Sequence, residues 1–172
     1  MLNEIRDYYK KSLITRIVFQ AVIVLLVYFS IRYWKSLDNI EGPAPVIRAT
    51  SLSGQAFDLR EHKNMPLLVH FWATWCPVCE MENANIASVA EDYRVITIAS
   101  WSEGAKEVSS YMQEQALNMP VIIDEDGEWA KLYGVKAVPA SFFINPDGVI
   151  QFIETGYTTE LGLRLRLWWL EP

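Results

Sequence analysis

Two cysteines stand in this chain of 172 residues, Cys76 and Cys79, with Pro77 and Val78 between them. Thiols at that spacing support several readings: ligands of a metal, a structural disulfide, a redox pair, or chance. A structural zinc site takes four ligands, and only His62 and His70 are left to complete one. A static disulfide across so short a loop removes little entropy from the unfolded chain and has no use for an internal proline.

The redox reading uses more of what is there. The pair follows the apolar run "PLLVHFWA" (66–73) and precedes "EMENANIASVAEDY", which reads as a helix. A strand ending there and a helix starting there set Cys76 among free backbone N–H groups at the positive end of a helix dipole, and both favour the attacking thiolate. Cys76 is then the nucleophile that forms a mixed disulfide with substrate. Cys79, one turn inside, resolves it by attacking Cys76. A competing use of the same thiols, with Met81 nearby, is Cu(I) binding without turnover. A carrier of that kind has no need of the proline.

The elements that must hold this pair are legible as alternating patterns. "PLLVHFWA" and "RVITIAS" (94–100) are continuous apolar runs of strand length, as expected of strands buried on both faces. "PVIID" gives a third strand. "SFFIN", the turn "PDG" and "VIQFIET" give a β-hairpin. Helices are expected at "EGAKEVSSYMQEQAL", with Ser100 and Glu103 as a capping box, and at "EWAKLYG". The tail "TELGLRLRLWWL" alternates like a strand, yet Thr158 or Thr159 could cap a helix. The order β-α-β-α-β-α-β-β predicts an α/β sandwich around a mixed central sheet.

Composition bounds the function. Apolar residues make up 51% and aromatics 13%, enough for a full core. A net charge of −6 argues against nucleic acid as a partner. The charge divides unevenly: residues 1–41 hold six Lys/Arg against four Asp/Glu, and residues 42–172 hold nine against seventeen. Within the basic head, Ile17 to Ile31 is almost wholly apolar. Fifteen helical residues span roughly 22 Å, short of a bilayer's roughly 30 Å core. Snorkelling Arg16 and Arg32, with Leu13, Ile14, Tyr33 and Trp34, extend the band.

The organisation expected is a cytoplasmic tail (1–12), a transmembrane anchor (13–34), a linker (35–45) and one folded domain (46–172). The bulky, charged "RYWKSLDN" after the apolar run does not suit signal-peptide cleavage. Arg6, Lys10, Lys11 and Arg16 before the span place the N-terminus in the cytoplasm and the body outside, in an oxidising compartment.

"VHFWATWCPVC", followed by "VPA" and "FFINPDGVI", resembles the thioredoxin superfamily, and more narrowly its membrane-anchored, TlpA/DsbE-like periplasmic thiol–disulfide oxidoreductases. The lead-in "GPAP…LSGQAFDL" and the close "GYTTELGLRLRLWWL" are similar to the suppressor-of-copper-sensitivity (ScsD-like) branch. The likeness covers residues 42–172. It implies a thioredoxin-like fold, no cofactor, periplasmic protein thiols or disulfides as substrates, and a membrane electron-transfer partner that resets the pair. It also implies that Pro139 is a cis-proline lying against the sulfurs and holding substrate backbone. Val138, Pro77 and Val78 would tune potential and substrate choice, and Trp75 would shield the disulfide. One position departs from the family: His70 stands where thioredoxins carry a buried acid that deprotonates the inner thiol. A neutral imidazole could take that proton at a pKa nearer neutrality, or His70 is a hydrogen-bonded core residue. Glu80 and Glu82, just after the pair, would oppose a thiolate nearby.

Overall fold

The computed structural model describes residues 19–20, 22–26, 42–61 and 64–172. The chain divides into two units, Met1–Asn39 and Ile40–Pro172. In the first, residues 19–20 and 22–26 are helical, and no helix among the described residues is long and apolar enough to cross a membrane. The remainder of the stretch assigned to the anchor, 13–34, lies outside the described residues, as does the cytoplasmic tail.

The second unit is built on a six-stranded sheet in the order β1-β8-β7-β4-β5-β6. Its strands are β1 (Gly42–Pro43), β4 (Leu67–Trp72), β5 (Arg94–Ser100), β6 (Val121–Asp124), β7 (Ala140–Ile144) and β8 (Val149–Thr155). A separate ribbon pairs β2 (Arg48–Thr50) with β3 (Ala56–Asp58). Four helices complete the unit: α1 (Pro77–Asp92), α2 (Gly104–Glu114), α3 (Glu128–Leu132) and α4 (Glu160–Trp169).

Strand β4 is central and buried at all six positions, which is why it reads as an unbroken apolar run. It pairs in parallel with β5 and antiparallel with β7, so the sheet is mixed as expected. Strand pleat sends alternate side chains to opposite faces. Leu67, Val69 and Phe71 join Ile96, Ile98, Phe142, Tyr133 and Ile47 in one core. Leu68 and Trp72 join Ile86, Val89, Val108, Phe143, Leu163 and Leu167 in the other. His70 shares the pleat parity of Leu68 and Trp72, the face covered by α1. Every parallel strand ends at one pole, where Trp72 pairs with Ala99 and Ser100 with Asp124, and Cys76 follows closely on β4.

The sheet takes up the chain at Gly42, inside the stretch assigned to the linker: Gly42 and Pro43 pair with Ile150 and Val149. The expected capping box does not form. Ser100 ends β5 and donates its hydroxyl to Asp124 at 2.6 Å. Glu107 instead accepts from the Glu103 N–H. The ambiguous tail is a helix, with Thr159 Oγ1 accepting from the Gly162 N–H at 3.2 Å.

Candidate active site

Cys76 is the N-cap of α1 and Pro77 its first helical residue, a position where a missing N–H costs nothing. The two cysteines are joined in a disulfide with Cα atoms 5.2 Å apart. The Cys79 N–H donates to Cys76 Sγ at 3.2 Å, the interaction that would hold a Cys76 thiolate at the positive end of the helix. Cys76 is only 4% exposed and Cys79 wholly buried. The nucleophile is thus more enclosed than the sequence suggests, although it alone of the pair meets solvent.

The neighbouring loops explain that enclosure. The Val138–Pro139 peptide is cis, and the Val138 carbonyl oxygen lies 3.7 Å from Cys76 Sγ. On the other side, the β5–α2 loop grips the residues before the pair. Thr74 N–H donates to Ser102 Oγ at 3.1 Å, Thr74 Oγ1 to Glu107 at 2.6 Å, and Trp75 Nε1 to the Trp101 carbonyl at 2.8 Å. Trp101 adopts φ +55° to present that carbonyl, a backbone region uncommon for bulky residues. Trp75, Val78 and Met81 are exposed around the pair. The residues singled out in the sequence at 75–79 and 138–139 are therefore gathered at one pole.

His70 behaves otherwise than a value nearer neutrality would require. It is fully buried, its Nδ1 lies 2.9 Å from Ser141 Oγ, and its Nε2 has no partner. Burial disfavours the imidazolium and pushes its pKa down to about 3. His70 is neutral at physiological pH and a very weak base.

Glu82 offers what His70 lacks. The residue has no exposed surface, although it is a carboxylic acid. It stands three positions after Cys79, so the two share a face of α1. Burial raises its pKa to about 7, opposed by the Thr158 N–H that donates to Oε1 at 3.2 Å; Oε2 is buried without a partner. The sequence suggests a charge opposing the thiolate; the structure shows an acid turned inward and half neutral near pH 7. The missed signal was the spacing. Position 82 falls on the inner stripe 79, 82, 86, 89 that α1 buries. Among the described residues, no group of three or more His, Cys, Asp or Glu side chains is placed to hold a metal ion.

Comparison with known proteins agrees with this geometry. Residues 40–153 match the AhpC/TSA family. The chain is 30% identical over 158 residues to the thiol-disulfide oxidoreductase ResA of Bacillus cereus, covering 84% of this chain and 91% of that one. It is 30% identical over 127 residues to a thioredoxin-like protein of Haemophilus influenzae, covering 73% and 75%. Among solved structures it is similar to StoA of Bacillus subtilis, with TM-score 0.64, 25% identity, and 72% and 96% of the two chains covered. A thioredoxin family thiol:disulfide interchange protein of Chlorobium tepidum shares the fold at TM-score 0.68 and 23% identity, covering 77% and 98%. With a redox pair at the head of a helix on a thioredoxin-like sheet, the chain belongs to the AhpC/TSA family and is a thiol–disulfide oxidoreductase.

Proposed function

We propose that this protein is tethered in the bacterial inner membrane by residues 13–34 and reduces disulfides of periplasmic proteins through Cys76 and Cys79. The observation that carries the reading is the Cys79 N–H on Cys76 Sγ beneath the Val138 carbonyl. One sulfur is held for attack, with a backbone acceptor beside it for the substrate's own N–H.

In the reduced protein the Cys76 thiolate attacks one sulfur of the substrate disulfide. A mixed disulfide forms and the other substrate sulfur leaves as a thiolate. Cys79 then loses its proton to Glu82, one turn along α1, and attacks Cys76. The second substrate thiol departs and the Cys76–Cys79 disulfide remains. Two electrons have passed to the substrate, and a membrane electron-transfer partner must return two to the pair. Glu82 suits this step because a base poised near the working pH moves protons both ways. His70 serves by staying neutral and hydrogen-bonded to Ser141.

The test is Cys79→Ser in the full-length protein. Mixed disulfides with periplasmic proteins should accumulate in the membrane fraction, dissolve in dithiothreitol and vanish when Cys76 is also replaced. A variant that traps no protein, or a chain recovered away from the membrane, would sink the reading.

A further inference from the structure

Four buried side-chain atoms have no hydrogen-bond partner among the described residues: His70 Nε2 and Trp72 Nε1 from β4, Glu82 Oε2 and Asn83 Oδ1 from α1. His70 and Trp72 point to the face of β4 that α1 covers. Glu82 and Asn83 are buried with Cys79, Ile86 and Val89 on the inner side of that helix. Orphaned polar atoms are costly in a protein interior, so four of them at one interface call for a cause.

The four sort into two pairs. Trp72 packs on Tyr111 with ring centroids 5.3 Å apart, and Asn83 donates to the Tyr111 hydroxyl at 3.3 Å, so this pair leans toward α2. His70 and Glu82 lean the other way. His70 meets Ser141 on β7, and Glu82 meets Thr158, just past the end of β8, the strand beside β7. The two also lie at similar depth. Helix α1 runs back along β4, because it joins that strand to parallel β5. Measured from the redox pole, His70 is two strand residues below Trp72, roughly 7 Å, and Glu82 one helical turn below Cys79, roughly 5 Å. In each pair β4 supplies a donor and α1 an acceptor. For His70 this follows from Ser141. The Ser141 hydroxyl has no other acceptor among the described residues, so Nδ1 accepts from it and the one hydrogen of the neutral imidazole sits on Nε2.

We propose that one buried water links His70 Nε2–H to Glu82 Oε2, accepting from the imidazole and donating to the carboxylate. Buried waters occupy sites that offer them such partners. His70 is thereby a positioning residue. With the Thr158 N–H on Oε1 and the water on Oε2, the carboxylate is held at both oxygens, one turn from Cys79. Donation to the charged form also opposes the upward push of burial, so Glu82 stays able to take and return a proton. The inference rests on the reading of Glu82 as the base that frees Cys79. Other groups around Glu82 leave it to this link. Cys76 and Cys79 precede it on α1, where Glu80 is exposed. Helix α2 and the segment after β8 bring the phenols of Tyr111 and Tyr157, held by Asn83 and Asn85. Arg164 pairs with Glu160 and Asp92, and Arg166 with Glu154.

The chain has two histidines, so magnetic resonance of the full-length oxidised protein, isotope-labelled only at histidine nitrogen, observes two imidazoles. His70 is identified by its loss in His70→Gln. It should carry its hydrogen on Nε2, and that resonance should move as Glu82 titrates near pH 7 and stay still in Glu82→Gln. A hydrogen on Nδ1, or an Nε2 resonance indifferent to Glu82, overturns the link without need of a variant at position 70. Kinetics read its consequence. Reduced protein mixed with a chromogenic aryl disulfide releases one thiolate as Cys76 attacks and a second as Cys79 resolves. His70→Phe should move the pH inflection of the second release up by about one unit and leave the first release unchanged. His70→Gln keeps a side-chain N–H and should return the inflection to the wild-type position, which a merely structural role for His70 would not require. An inflection unmoved in His70→Phe overturns the inference and leaves Glu82 as the base. A second release as fast in Glu82→Gln as in the wild type removes the base, and the inference falls with it.

Discussion

Two buried ionisable side chains on one side of the sheet carry opposite pH signatures. Glu82 has its pKa raised to about 7, so the folded state holds that proton more tightly than the unfolded chain. Its contribution to stability is greatest below the unfolded value near 4.5 and is lost as pH rises to 7. His70 has its pKa lowered from 6.5 to about 3, so the unfolded chain takes up its proton first. Its contribution is complete above 6.5 and is lost as pH falls toward 3. Between pH 4.5 and 6.5 the two slopes, each up to about 1.4 kcal/mol per pH unit, oppose one another. Denaturant unfolding across that window should therefore show Glu82→Gln gaining stability with rising pH relative to wild type, and His70→Asn losing it. Parallel curves for the three proteins would mean that these groups are not buried as described. Glu82→Gln should also slow the resolving step by about 100-fold, the effect of losing a positioned base. Stopped-flow decay of a preformed Cys76 mixed disulfide reads that step. The first attack by Cys76 should change much less, a split that a merely structural role for Glu82 would not produce.

Among the elements, the loops around the pair act through their backbone. Gly127 precedes α3 at φ +70°, and a Cβ there would overlap the Trp101 indole. Gly127→Ala should displace Trp101, whose carbonyl holds Trp75. The expected result is a loss of about 1–3 kcal/mol in denaturant unfolding and a raised KM for protein disulfides, with small disulfides reduced as before. An unchanged KM would show that Trp75 is not held through Trp101. This coupling was illegible in sequence because it joins positions 75, 101 and 127 through one carbonyl and one ring. What was legible follows from burial. Strands β4 and β5 are covered on both faces and so appear as apolar runs, and the redox pair stands where the first of them stops. Strands β1 to β3 are two or three residues long and carry no period to read. Helix α4 alternated like a strand because both of its faces are apolar, and only Thr159 at its cap spoke for a helix. Glu82 was hidden for a related reason: an acid near a helix start reads as a dipole partner at the surface, and only tertiary packing turns it inward.

At the scale of the whole domain, the question is where the fold begins. The Gly/Pro punctuation puts the start of the folded domain between Gly42 and residue 46, whereas the second unit in the structure spans Ile40–Pro172. Residues 42–45 complete the domain rather than lead to it. Gly42 and Pro43 cover the edge of β8, and the Ala44 N–H donates to the Gly148 carbonyl at 2.8 Å. Ala44 is buried in the core that contains Tyr133. The Tyr133 hydroxyl, on a side chain 1% exposed, donates to the Pro45 carbonyl at 2.8 Å. A fragment starting at Val46 loses that acceptor, and a buried hydroxyl without a partner costs about 1–3 kcal/mol. It also bares β8 as a sheet edge, a template for pairing between chains. Fragments 40–172 and 46–172 should therefore differ in denaturant midpoint, the shorter being less stable by about 3 kcal/mol once the lost burial of Ala44 is included. Restoring stability to the shorter fragment with Tyr133→Phe, which removes the orphaned hydroxyl, would identify that group as the main cause. A midpoint unchanged by the truncation would mean that these residues are linker after all.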